Sequence, residues 1–387
     1  MTETKVWPRH VWRAAVGFLL LAMATGMLFR VGLATGNTLG LELGNIRHAH
    51  SHTMYFGWVT PALILFIGIQ TGLPRLRQLA FAALASAALA YPLFLSFGYS
   101  VVRLGSIEMP ISVVAATLNT IVWYLFVFQY FHFNRGAART ASGVLWDVAL
   151  AFLLLATLGA VGLALLKPLG VDDLVWPVAL THVFLDLFSE GWFVLAVLGL
   201  AYIGMGSTPK SFGPAVLTVT LGLPFTFAMG MPEMLVSAPL ETLSRVGSGL
   251  VGAGLLWHVG ILWRRADTIW RFPLSLLALK AAGQLASAGA VGFWIADFHG
   301  LRVLYLHLML LGFVSGGLVA AATSFALAHR LSRPLFNLAV LLLLASLVPH
   351  TEVFPAEWKG SWALYTAAFA PLFAIAAAGG LLVKSKD

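Results

Sequence analysis

Arg47-His-Ala-His-Ser-His-Thr-Met-Tyr-Phe-Gly-Trp58 opens a run that continues without another charged side chain to Pro74. About 20 apolar residues carry a helix across a hydrocarbon core roughly 30 Å thick, so this stretch reads as one membrane crossing with three imidazoles at its start. The pattern recurs along the whole chain. Of 387 residues, 60% are hydrophobic and 10% charged, at a mean hydropathy of +0.90, whereas a soluble domain carries roughly 25% charged residues. Apolar runs and their Gly, Pro and Ser punctuation predict helices over 12–34, 50–72, 77–99, 110–134, 144–167, 174–204, 213–232, 240–263, 272–294, 300–326, 333–349 and 361–383. The expectation is an all-α polytopic transmembrane bundle of about 12 helices, with residues 1–387 forming a single transmembrane domain.

Composition also excludes several function classes. There is no cysteine, which removes disulfides, thiolate metal sites, iron-sulfur clusters and thiol catalysis together. The net charge of +8 and pI near 9.9 do not point to nucleic acid, because the basic residues are scattered through short loops instead of forming a stripe. They act as topology signals. Lys5, Arg9, Arg13, Arg75, Arg77, Arg135, Arg139, Lys210, Arg264, Arg265, Arg271, Arg330, Arg333, Lys384 and Lys386 fall in one alternating set of loops. Glu42, Glu108, Asp172, Asp173, Glu233, Glu241, Asp297, Glu352 and Glu357 fall in the other. By the positive-inside rule both termini are cytoplasmic, and the expected setting is a bacterial inner membrane whose lipid is the chain's first partner.

On that topology the second, sixth and tenth helices enter from the outside, and each carries histidine near its start. His48, His50 and His52 open the second, His182 lies about two turns into the sixth, and His299 and His307 stand on the tenth. Ionisable groups within a membrane are functional by default, and neutral imidazole is the usual ligand for iron, copper or zinc. His52 and His307 are the main candidates, since each is followed by an apolar run containing a glycine; the other reading for each is a structural hydrogen bond. On the sixth helix, the spacing of His182, Asp186 and Glu190 places all three on one face, as a metal or proton site or as hydrogen bonds between helices. Arg245, Lys280 and Gln284 lie within helices and need partners. Arg245 is expected to meet Asp186, Glu190 or a heme propionate, and His258 to hydrogen-bond between helices.

The helix count, the topology and His52-Thr-Met-Tyr-Phe-Gly-Trp resemble the catalytic subunit of the heme-copper oxidase and nitric oxide reductase superfamily. So does Tyr305-Leu-His307-Leu-Met-Leu-Leu-Gly312-Phe. The resemblance implies that His52 and His307 are axial ligands of a low-spin b-type heme, with Tyr305 where a high-spin ligand would stand. Counting from His299 instead would make His307 the high-spin ligand and leave Met309 at the second place. Phe-Ser-Glu190-Gly-Trp-Phe is similar to the nitric oxide reductase segment, with Asp186 where that family has a histidine. Phe227-Ala-Met-Gly-Met-Pro-Glu resembles the family's Gly-x-Pro segment without its adjacent His-His pair. His48-Ala-His50 also resembles the NnrS-type heme and copper membrane proteins.

The resemblance implies electron transfer or nitric-oxide-related redox chemistry. His48, His50 and Arg302 are candidates for propionate contact, His182, Asp186 and Glu190 for a second metal, copper or iron, and a cytochrome c-type or quinol-linked subunit for the electron donor. If the chain is an enzyme, it is an oxidoreductase of the nitric oxide reductase or terminal-oxidase type. Two other classes compete: a heme-free carrier of metal or protons, and a structural subunit of a respiratory complex.

Overall fold

The structure is a computed structural model, and it describes residues 6–205, 207–289 and 297–382. Long apolar segments become helices because lipid leaves no other way to satisfy the backbone of a single crossing. In chain order they are α1 Trp7–Thr35, α2 Leu43–Thr71, α3 Leu76–Phe97, α4 Ile111–Phe133, α5 Ala141–Leu166, α6 Val175–Ala201, α7 Phe212–Gly230, α8 Ala238–Arg265, α9 Arg271–Ala288, α10 His299–Ser324, α11 Ser332–His350 and α12 Ser361–Gly380. All but α9 are long and apolar enough to cross a membrane, so the chain is an all-α integral membrane protein by length and composition. In α9 the apolar run is interrupted by Lys280 and Gln284. The last residues of the predicted ninth helix, 290–294, lie outside the described residues. So do Gly206 and the topology charges Lys5, Lys384 and Lys386.

Helix ends follow local chemistry. α1 and α2 stop at Gly36 and Gly72, with φ of 76° and 66°, left-handed positions that glycine fills without a Cβ clash. α5 starts at Thr140, whose hydroxyl accepts from the Gly143 amide at 3.1 Å. Between α3 and α4 the chain makes a hairpin that sequence periodicity does not signal: β1 Val102–Leu104 pairs antiparallel with β2 Ile107–Met109. Two strands of three residues are too short to show an alternating pattern.

The chain divides into two compact units, Met1–Ala137 with Leu318–Pro349 and Ala356–Asp387, and Ala138–Gly317 with His350–Pro355. The first unit packs around Trp12, whose ring centroid lies 5.3 Å from Trp58 and 5.9 Å from Phe66. Phe66 in turn stacks on Phe325 at 5.2 Å. The second unit packs α5 on α6, with Trp146 Nε1 donating to the Ala196 carbonyl at 3.1 Å.

Three helices depart from α geometry at matching places. α2 turns π-helical over Thr53–Val59, α6 over Leu187–Val194 and α10 over Leu308–Ser315. Such segments widen the turn, rotate the side chains that follow and occur frequently at functional sites.

Candidate functional site

Each π segment begins directly after a polar residue singled out above: His52, Asp186 and His307. Five residues after each comes a glycine, then an aromatic: Gly57-Trp58, Gly191-Trp192 and Gly312-Phe313. The glycines are required by packing. A methyl group on Gly57 would meet Phe18 at 2.5 Å, on Gly191 Phe152 at 2.7 Å, and on Gly312 Leu276 at 2.7 Å, so each lets a side chain of the preceding helix close against the π turn. The spacing recurs about a third of the chain apart, and it is an internal repeat that the reading of individual helices overlooks.

In the first unit, His52 Nδ1 lies 2.8 Å from the His48 carbonyl. A ring nitrogen facing a carbonyl must carry the proton, so Nε2 keeps the lone pair. The Tyr99 hydroxyl, 3.1 Å away, donates to that lone pair. Phe94 stacks on the ring at 3.8 Å and 22°, and Tyr99 also meets the edge of His48 at 4.6 Å. His50 turns to α1, where Nδ1 donates to the Ala22 carbonyl at 2.7 Å and the ring packs on Gly26. Its Nε2 has no partner among the described residues.

In the second unit, His307 Nδ1 donates to the Val303 carbonyl at 2.8 Å, the same bond to the residue four before that His52 makes. The start of α10 is held by Glu352, whose carboxylate accepts from the Gly300 and Leu301 amides at 2.8 and 3.0 Å. Two unpaired helix-terminal donors and the helix dipole are satisfied at once. His299 is exposed and sits outside this arrangement. Arg302 is half-buried and within electrostatic reach of His182.

Of the three α6 residues, His182 and Asp186 share a face toward α7, as α spacing implies, and Glu190 leaves it. His182 lies against Gly230 of α7. Asp186 Oδ2 accepts from the Thr226 hydroxyl at 2.9 Å. Glu190, already inside the π segment, is turned to Lys280 of α9, which donates to it. Lys280 also donates to Gln284 Oε1 at 2.7 Å, and Gln284 Nε2 donates to Glu190 Oε2 at 3.3 Å. The wider π turn, which begins at Leu187, breaks the four-residue register between Asp186 and Glu190. Among the described residues no group of three or more His, Asp or Glu side chains is placed to hold a metal ion. Arg245 is likewise engaged away from Asp186 and Glu190. It pairs with Glu241 at 2.9 Å and donates to the Ser287 and Gly289 carbonyls, each at 3.1 Å, at the end of α9.

His258 does bridge helices as expected, with the Tyr202 hydroxyl 2.9 Å from its Nδ1. Burial pushes the Tyr202 phenol up, so it serves as a neutral partner. No family model and no curated protein sequence matches this chain.

Proposed function

We propose that this chain is a heme-binding membrane protein that carries electrons, with His307 of α10 and an imidazole of α2 each prepared as a ligand for a b-type heme, both termini being cytoplasmic. The observation that carries the reading is the shared preparation of the candidate ligands. His52 and His307 each present Nδ1 to the carbonyl four residues before, at 2.8 Å, directly ahead of a π turn and a packed glycine. Metal-binding histidines are oriented in this way: the anchored N–H fixes the tautomer and leaves Nε2 as the ligand atom.

A heme held by two imidazoles supplies one-electron transfer with no open coordination position. The chain's own residues orient the candidate ligands within each unit: the His48 carbonyl holds the His52 ring and Phe94 covers one face of it, while in the second unit the Val303 carbonyl holds His307 and Arg302 supplies a cation for a propionate. On α2, His52 serves if the Tyr99 hydroxyl gives way, whereas His50 serves with its Nε2 as it stands. A copper or iron partner on α6 is not part of the proposal, because Glu190 and Asp186 already have a cation and a donor of their own.

Visible spectra of the purified full chain test the reading. A sharp reduced-minus-oxidised b-type band is expected, lost in His307→Ala and in one of His52→Ala and His50→Ala. Tyr99→Phe is expected to leave the band intact if His50 is the ligand, and to strengthen heme retention if His52 is. Absence of heme from wild-type protein made with ample heme supply would defeat the proposal and favour a heme-free carrier.

A further inference from the structure

Within the second unit, α6 and α9 close over a buried ammonium. Lys280 is fully buried, and Glu190 and Gln284 are nearly so. Its Nζ donates to Glu190 Oε1 and to Gln284 Oε1, while the Gln284 amide binds the other Glu190 oxygen. The face of the Tyr305 ring lies 5.1 Å from Nζ. Asp186 and Lys280 are within electrostatic reach of each other. One carboxylate, an amide oxygen and an aromatic face thus surround one positive charge deep within apolar helices, with a second carboxyl group in electrostatic reach.

An uncompensated charge there would be strongly unfavourable, and a buried ion pair adds little net stability compared with apolar side chains of the same volume. Stability is therefore a poor reason for the pair, and the surroundings suggest a better one. Hard oxygen donors around a cation are what a divalent ion of the manganese or magnesium type selects. The four-carbon stem of Lys280 delivers an equivalent charge covalently. The second metal implied by the resemblance above, copper or iron, fits these residues poorly, since such ions at a membrane site call for imidazole and the one histidine on α6, His182, packs on Gly230.

We propose that Lys280 is a tethered cation standing in place of a second metal ion, and that the oxygen site between α6 and α9 is closed to exchangeable metals while the lysine is present. The inference deepens the heme reading by assigning its second site. Its test reads non-heme metal, so the two fail separately.

The full chain, purified in detergent and equilibrated with Mn2+, is analysed for manganese and for heme on the same sample. Wild type is expected to hold no stoichiometric manganese, and neither is Lys280→Arg. Lys280→Ala is expected to take up about one Mn2+ per chain through the freed oxygens. Lys280→Ala/Glu190→Gln is expected to bind it about tenfold more weakly or worse.

Stoichiometric non-heme metal in wild type overturns the proposal, as does a folded Lys280→Ala that holds no more manganese than wild type. Should Lys280→Ala fail to accumulate, it is produced with and without Mn2+ beside Lys280→Met/Glu190→Gln. Recovery with Mn2+ supports the proposal; no recovery, while the neutral pair accumulates, overturns it. Loss of heme from every sample defeats the heme reading alone.

Discussion

In α2 the residue ahead of the π segment is His52, its ring anchored on a carbonyl and stacked on Phe94. In α6 the corresponding residue is Asp186, anchored by Thr226, with the Glu190–Lys280 pair one turn on. Backbone, glycine and aromatic follow the same plan in both. What differs is the price of holding the polar group in an apolar setting. A neutral imidazole needs one acceptor and keeps a lone pair to offer, whereas a carboxylate must bring a donor or a cation with it. In one version the lone pair of the polar group is held by a single neutral hydroxyl, that of Tyr99, and in the other the polar group is committed to a donor or a cation of its own.

That contrast can be broken at four points. Lys280→Ala should have the largest effect, costing about 3–5 kcal/mol because it strands Glu190, whereas Lys280→Met/Glu190→Gln should recover most of the loss. Unfolding in mixed micelles compares the two, and equal costs would show that charge compensation is not what α6 needs. Thr226→Val should cost about 1–3 kcal/mol in the same assay by leaving a buried carboxyl oxygen without its donor. Gly57→Leu, Gly191→Leu and Gly312→Leu should each cost about 1–3 kcal/mol through overpacking; a position that tolerates leucine drops out of the common plan. Tyr99→Phe should be mildest, about 0.5–1.5 kcal/mol for one neutral hydrogen bond. A cost as large as that of Thr226→Val would mean that His52 is held as tightly as Asp186.

The helices were legible because length and apolarity suffice to define a crossing, so Trp7–Thr35 or Ala141–Leu166 could be read within a few residues. His52 and His307 stood out because imidazole is rare in such runs. Their anchoring carbonyls lie four residues before each, but periodicity alone does not reveal that the rings turn back to them. Glu190 parts from His182 and Asp186 for a definable reason: four-residue spacing implies a shared face only in α geometry, and Leu187–Val194 is π-helical. The repeat of a polar residue, four others, glycine and an aromatic was present in the letters, and it becomes conspicuous once Phe18, Phe152 and Leu276 are seen against the three glycines. Lys280 was visible as a charge in need of a partner. That its partner would be Glu190, ninety residues away in the chain, depends on packing that no local pattern encodes.

The Glu352 carboxylate on the first amides of α10 also orders events during synthesis. Those amides leave the ribosome some fifty residues ahead of their acceptor, and α11 lies between them. The start of α10 is therefore finished only after α11 has been inserted and the segment behind it has folded back. His307, two turns further along, reaches its final setting late in biogenesis, so a chain stopped after α10 carries every candidate ligand histidine yet lacks the clamp that steadies the last of them.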